Sequence, residues 1–132
     1  MLKKILLLTV LLGFLGFVCS ITPARAQDPV KLRPDIFSVK LENESVRVLE
    51  WTFKPGDKEL IHTHPEMVIY YLTGGKLRVY GRDGKLLREV DAKAGDTYWY
   101  KPMKHALENI GSTTIHAIIV ELKTNPFKEY GD

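Results

Sequence analysis

The sequence predicts an all-β fold, a small β-barrel behind a cleavable N-terminal segment. Three observations carry this. Short runs rich in β-branched and aromatic residues alternate with turn signals about every 8–12 residues, the spacing of a sandwich or barrel. Within those runs apolar and polar residues alternate with period two, as on a half-buried strand. Helix-period stretches are scarce after residue 27. Closure into a barrel is favoured because it removes exposed strand edges from a fold of this size.

The first 26 residues stand apart. Met1-Leu2-Lys3-Lys4 is a basic start, Ile5 to Val18 is apolar apart from Thr9, Gly13 and Gly16, and Ala24-Arg25-Ala26 is a small-x-small end. This is the pattern of a secretory signal peptide, and its apolar stretch of about 14 residues falls short of the ~20 that span a bilayer. Cleavage is expected after Ala26, leaving Gln27 as the new N-terminus and a periplasmic or secreted protein of residues 27–132. Of 19 basic residues, Lys3, Lys4 and Arg25 leave with the segment, so 16 remain against 16 acidic ones. The formal charge of +3 belongs to the export signal. Neither a nucleic-acid partner nor, after cleavage, a membrane partner follows from charge. The single cysteine, Cys19, leaves too, so no disulfide supports the mature chain. A composition of 45% hydrophobic and 27% charged residues excludes wholesale disorder.

The mature chain then reads in order. Asp28 to Arg33, with Pro29 and Pro34, is an extended lead-in. Phe37 to Leu41 alternates apolar and polar, and Val46 to Phe53 is a second strand ending in the Pro55-Gly56 turn. Leu60 to His64 and Met67 to Leu72 follow, the latter closed by Gly74-Gly75. Leu77 to Tyr80 and Leu86 to Val90 flank Asp83-Gly84, a hairpin signal. Thr97 to Tyr100, His105 to Asn109 and Thr114 to Leu122 complete about nine strands in one domain, with Lys123 to Asp132 as a tail.

Chemistry concentrates on histidine. His62-Thr63-His64 lies on a predicted strand, where residues i and i+2 share a face, so two imidazoles converge as a metal requires. Gly56 precedes His62 by six residues and Gly74 follows His64 by ten. Later, Gly95 precedes His105 by ten and Asn109 follows it by four.

This grammar resembles the two sequence motifs of the cupin superfamily. Gly56-Asp57-Lys58-Glu59-Leu60-Ile61-His62-Thr63-His64 matches the front of the first motif, and Tyr71-Leu72-Thr73-Gly74 its ending. Gly95-Asp96 opens the second and His105-Ala106-Leu107-Glu108-Asn109 closes it. The resemblance spans about residues 44–123 and implies a single jelly-roll-like barrel. It implies His62, His64 and His105 as ligands of one divalent metal ion, of Fe, Mn, Zn, Ni or Cu type. Two departures stand out. Val68 and Ile69 occupy the places where the family carries a metal-binding glutamate, and Glu66 comes earlier, after the bend at Pro65. Lys101-Pro102-Met103-Lys104 replaces the Pro-x-Gly of the second motif.

The resemblance implies a dioxygenase- or isomerase-like activity on a small anionic or phenolic substrate. The missing glutamate keeps open a second reading, a non-catalytic cupin that binds a small ligand over a degenerate metal site. A homodimer paired through the Phe37 to Leu41 strand is compatible with the family. His116, in an apolar strand, reads as a core or interface residue. Glu108 and Glu121 are candidate acid–base groups by proximity alone. Tyr98 and Tyr100 share one strand face and Trp99 takes the other, and either set could line a pocket.

Overall fold

The computed structural model describes residues 27–129; the expected signal peptide lies outside the described residues. One helical turn, α1 (Pro29–Leu32), precedes nine strands: β1 (Phe37–Glu42), β2 (Val46–Phe53), β3 (His62–His64), β4 (Met67–Thr73), β5 (Gly75–Tyr80), β6 (Leu86–Ala92), β7 (Thr97–Tyr100), β8 (Met103–Asn109) and β9 (Ile115–Leu122). The lead-in expected to be extended is therefore helical at its start. Asp28 caps it by accepting a hydrogen bond from Val30 N, and Pro29 enters at the first turn, where its missing N–H costs nothing. No helix among the described residues is long and apolar enough to cross a membrane.

The strands form a five-stranded sheet, β1-β2-β9-β4-β7, and a four-stranded sheet, β3-β8-β5-β6. All paired strands are antiparallel. The all-β class is as expected. The expected barrel closure is not: the two sheets do not join into one closed ladder among the described residues. The edges of β1, β7, β3 and β6 set the limits of the ladders instead.

Alternation fixes which side chains meet between the sheets. Leu49, Trp51 and Phe53 of β2, Met67, Ile69 and Tyr71 of β4, and Ile115, Ala117 and Ile119 of β9 are all buried. Each large apolar side chain removed from water stabilises the fold by roughly 1.5–3 kcal/mol. Glu121 continues the same inward row of β9 and is just as buried. The core therefore ends in a carboxylate beside β3. Asn109, also buried, ties the loops at the other end by donating to Phe53 O at 2.8 Å and Thr113 O at 2.9 Å and accepting from Gly111 N at 3.0 Å.

Candidate metal centre

β3 and β8 pair so that His62 lies directly opposite His105. His64 shares the face of His62 by strand parity. Three imidazoles thus meet from two adjacent strands, each side chain buried. One ring nitrogen from each lies within 4.8 Å of the other two. The free edge of β3 is met by the N-terminal segment, where Thr63 N donates to Gln27 O at 2.9 Å.

Hydrogen bonds set how two of the rings sit. His62 Nδ1 donates to Leu60 O at 2.8 Å. His64 Nδ1 donates to Glu121 Oε1 at 2.6 Å. Glu121 Oε2 in turn accepts from Arg47 Nε at 2.5 Å, and the Arg47 guanidinium bonds Asp28 at 3.1 Å. Burial alone would push the Glu121 pKa up; the bonds from His64 and Arg47 outweigh it and hold the carboxyl below its ordinary value. It is therefore an acceptor, and His64 presents Nε2 to the centre.

His62 Nε2 and His64 Nε2 face one another at 3.0 Å. Both rings have spent their Nδ1–H elsewhere, so two lone pairs at this separation call for a positive charge between or beside them, a proton or a metal ion. His105 Nε2 is buried with no hydrogen-bond partner. A shared proton leaves that third nitrogen unsatisfied, whereas a metal ion satisfies all three. Two donors about 2.1 Å from one ion and at right angles lie about 3.0 Å apart, which matches the observed pair. The chemistry of the donor set, three buried imidazoles whose ring nitrogens converge within 4.8 Å, suits a divalent ion. Burial, followed by the neighbouring imidazole of His64, lowers the His62 pKa to about 3. Burial with the nearby His62 and His64 takes His105 well below its ordinary value. Both rings are uncharged at neutral pH, the state in which imidazole binds metal.

A cavity of about 40 Å³ opens beside the imidazoles, lined by His64, His105, Glu59, Met67 and Tyr100 among others, with Arg88 at its side. That is room for two or three water molecules. Glu59 is a site residue that the sequence reading does not single out. Its Oε1 accepts from Trp51 Nε1 at 2.8 Å, and burial pushes its pKa up to about 8. Its Oε2 is 3.8 Å from His62 Nε2. At neutral pH that contact is not an ion pair, since the acid is mostly protonated and the imidazole neutral.

The remaining candidates fall elsewhere. Glu66 accepts from Trp99 Nε1 at 2.7 Å and from Asn125 Nδ2 at 2.9 Å, on the outside, so it does not replace the absent glutamate. Met67 is the residue β4 turns inward at that level. Glu108 accepts from Tyr80 OH at 2.7 Å and pairs with Lys58, away from the imidazoles. His116 bonds Glu50 Oε1 at 2.8 Å on the outer face of the large sheet. Of the aromatic pair, Tyr100 reaches the cavity while Trp99 points outward. Glu121 belongs to the centre as a positioning residue that orients His64.

Two antiparallel sheets with three convergent imidazoles on adjacent strands define a cupin domain. The chain belongs to this family: the cupin domain family matches residues 49–121. Among solved structures it is similar to a cupin domain from Bordetella pertussis, 28% identical over 67% of this chain and 92% of that one, with a TM-score of 0.60. It is also similar to a double-stranded β-helix protein from Klebsiella pneumoniae (24% identity, 74% and 84% covered, TM-score 0.52). An RmlC-like cupin from Methanocaldococcus jannaschii aligns at 15% identity, covering 66% and 78%, with a TM-score of 0.54. The last two likenesses carry the fold alone. No curated protein matches the chain.

Proposed function

We propose that this cupin holds one divalent metal ion on His62, His64 and His105 and uses it to bind and transform a small anionic or phenolic molecule. The observation that carries the reading is the 3.0 Å approach of two Nε2 atoms beside the partnerless Nε2 of His105. A bound ion would supply Lewis-acid or redox chemistry of dioxygenase or isomerase type. The chain's own groups prepare that site. Glu121 fixes the His64 ring, the side chains of Met67, Tyr71 and Leu107 line the cavity beside it, and Arg88 favours an anion.

Elemental analysis of the mature protein isolated from its native compartment tests the reading. Near-stoichiometric metal is expected, and H62A, H64A and H105A should each remove it. Wild-type protein that takes up no Fe, Mn, Zn, Ni or Cu would overturn it.

We also place the protein in the periplasm or outside the cell, cleaved after Ala26. The contacts of Gln27 O with Thr63 N, and of Asp28 with Arg47, support a boundary no further along the chain. Exposed Val39 and Leu41 at the β1 edge, with exposed Tyr70, Leu72 and Trp99, support a homodimer. Intact-mass measurement of the exported protein should start it at Gln27, and sedimentation should give twice the monomer mass. A start beyond Asp28, or a monomer at micromolar concentration, would count against each in turn.

A further inference from the structure

We propose that Glu59 is a fourth protein ligand of the metal, through Oε2, taking the part that β4 does not supply. The inference rests on the three-histidine reading above and adds an oxygen donor to it.

Backbone register brings Glu59 there. Lys58 bridges Glu108 of β8, while four residues later His62 pairs with His105, only three residues from Glu108. The strand therefore carries one extra residue between these pairs, a bulge, and a bulge inverts face parity. Strict alternation from His62 would put Leu60 inside and Glu59 outside. The structure shows the reverse: Leu60 is 59% exposed and Glu59 is 7% exposed. Glu59 N donates to Leu107 O at 2.9 Å, which holds the bulged segment against β8.

The carboxyl group is then half used. Trp51 Nε1 holds Oε1, and Oε2 is buried without a hydrogen-bond partner, 3.8 Å from His62 Nε2, in a residue that lines the same cavity as His64 and His105. A native protein seldom leaves such an atom unpaired without a use for it. Among the described residues the two buried side-chain atoms left without partners are Glu59 Oε2 and His105 Nε2, and both belong to this one site. A cation there satisfies both at once. The 3.8 Å from Oε2 to His62 Nε2 lies between about 3.0 Å, for ligands at right angles, and about 4.2 Å, for ligands opposite each other, at bonds of about 2.1 Å. Because Oε1 is engaged by Trp51, the ligation is through one oxygen. β4 offers no competing carboxylate: Met67 is its inward residue and Glu66 is bonded to Trp99 and Asn125. A carboxylate beside three neutral imidazoles also halves the net double charge that the bound ion would bring into a buried site.

Co(II) titration of the metal-free protein tests this, comparing wild type, E59Q and H64A. E59Q keeps the size of the side chain and an oxygen for Trp51 Nε1. It is expected to bind Co(II) at least about tenfold more weakly, with a changed visible band, while H64A loses binding further. A second readout uses Zn(II) in a W99F background, where Trp51 is the remaining tryptophan. Zn(II) should shift Trp51 emission when Glu59 is present and not in E59Q. Unchanged Co(II) affinity and band in E59Q, with binding lost in H64A, overturns the role of Glu59 and leaves the three-histidine centre standing. Wild-type protein that binds neither ion overturns both.

Discussion

Replacing Glu121 with glutamine is expected to destabilise the metal-free domain by about 3 kcal/mol and to weaken metal binding by about 10- to 100-fold. The carboxylate accepts from both sides: from His64 Nδ1 at 2.6 Å and from Arg47 Nε at 2.5 Å, with its own side chain about 1% exposed. An amide of the same shape has one accepting end and one donating end. With the amide oxygen toward His64 an N–H meets Arg47 Nε–H; with it toward Arg47 the amide N–H faces His64, whose Nδ1 must then accept and whose proton must move to Nε2, the nitrogen a metal needs. Arg47, only 16% exposed at its side chain, keeps Asp28 as its partner but loses the closer carboxylate. Removing one half of a buried pair costs more than removing both, because the other charge stays behind. E121L combined with R47L should therefore recover much of the stability lost in E121L alone. It should not recover metal affinity, since His64 still lacks the acceptor that fixes its ring. Urea unfolding of the metal-free proteins measures the first effect and chelator competition the second. Full metal affinity in E121Q would remove Glu121 from the centre. Unchanged unfolding would show that the pair with Arg47 contributes nothing.

The three histidines are legible in the sequence because a strand's side-chain period is two: H-x-H on a β run must share a face, and the later His105 sits at the matching place on its partner strand. Glu121 is nearly as legible, since it continues the row Ile115, Ala117, Ile119 at the same period. Its task is not, because nothing in β9 alone says that His64 lies beneath it. Glu59 is hidden for a different reason. Its direction depends on a one-residue bulge, a property of the pairing with β8 that no single-strand pattern encodes. The lead-in does carry a local signal for its helical turn: Asp28-Pro29 is a helix cap followed by a first-turn proline. Barrel closure follows only from the general cost of open edges, and the described strands manage those edges as two sheets instead.

Stability of the metal-free protein should be bell-shaped in pH, highest near pH 6 and falling on both sides. On the acid side the cause is imidazole. His62 stays neutral in the folded chain down to about pH 3, whereas unfolded histidine takes up a proton near its ordinary 6.5. Below pH 6.5 the unfolded state therefore binds more protons, and stability falls by about 1.4 kcal/mol per pH unit, roughly 5 kcal/mol by pH 3. His105, buried among the same rings, adds loss in the same direction. Glu121 adds more at lower pH, because its folded carboxyl is held below the ordinary value. On the alkaline side the cause is Glu59. Its folded pKa of about 8 exceeds the ordinary 4.5, so the unfolded state releases its proton first as pH rises, and stability declines until the folded group also ionises. Between pH 6.5 and 8 this costs roughly 2 kcal/mol. The two slopes largely cancel between pH 4.5 and 6.5, apart from the further acid loss from His105, which sets the optimum toward the upper end of that window. Urea midpoints of chelator-treated protein across pH 4–9 measure the curve, and E59Q should flatten its alkaline limb and steepen the fall between pH 6.5 and 4.5, where Glu59 no longer offsets His62. A midpoint constant from pH 5 to 8.5 would contradict the burial of uncharged His62, His105 and Glu59 on which the centre is built. Adding metal should lift the whole curve and most of all its alkaline limb. There the ion replaces the proton on Glu59 and meets imidazoles that are already neutral, whereas at low pH it competes with protons for the same nitrogens.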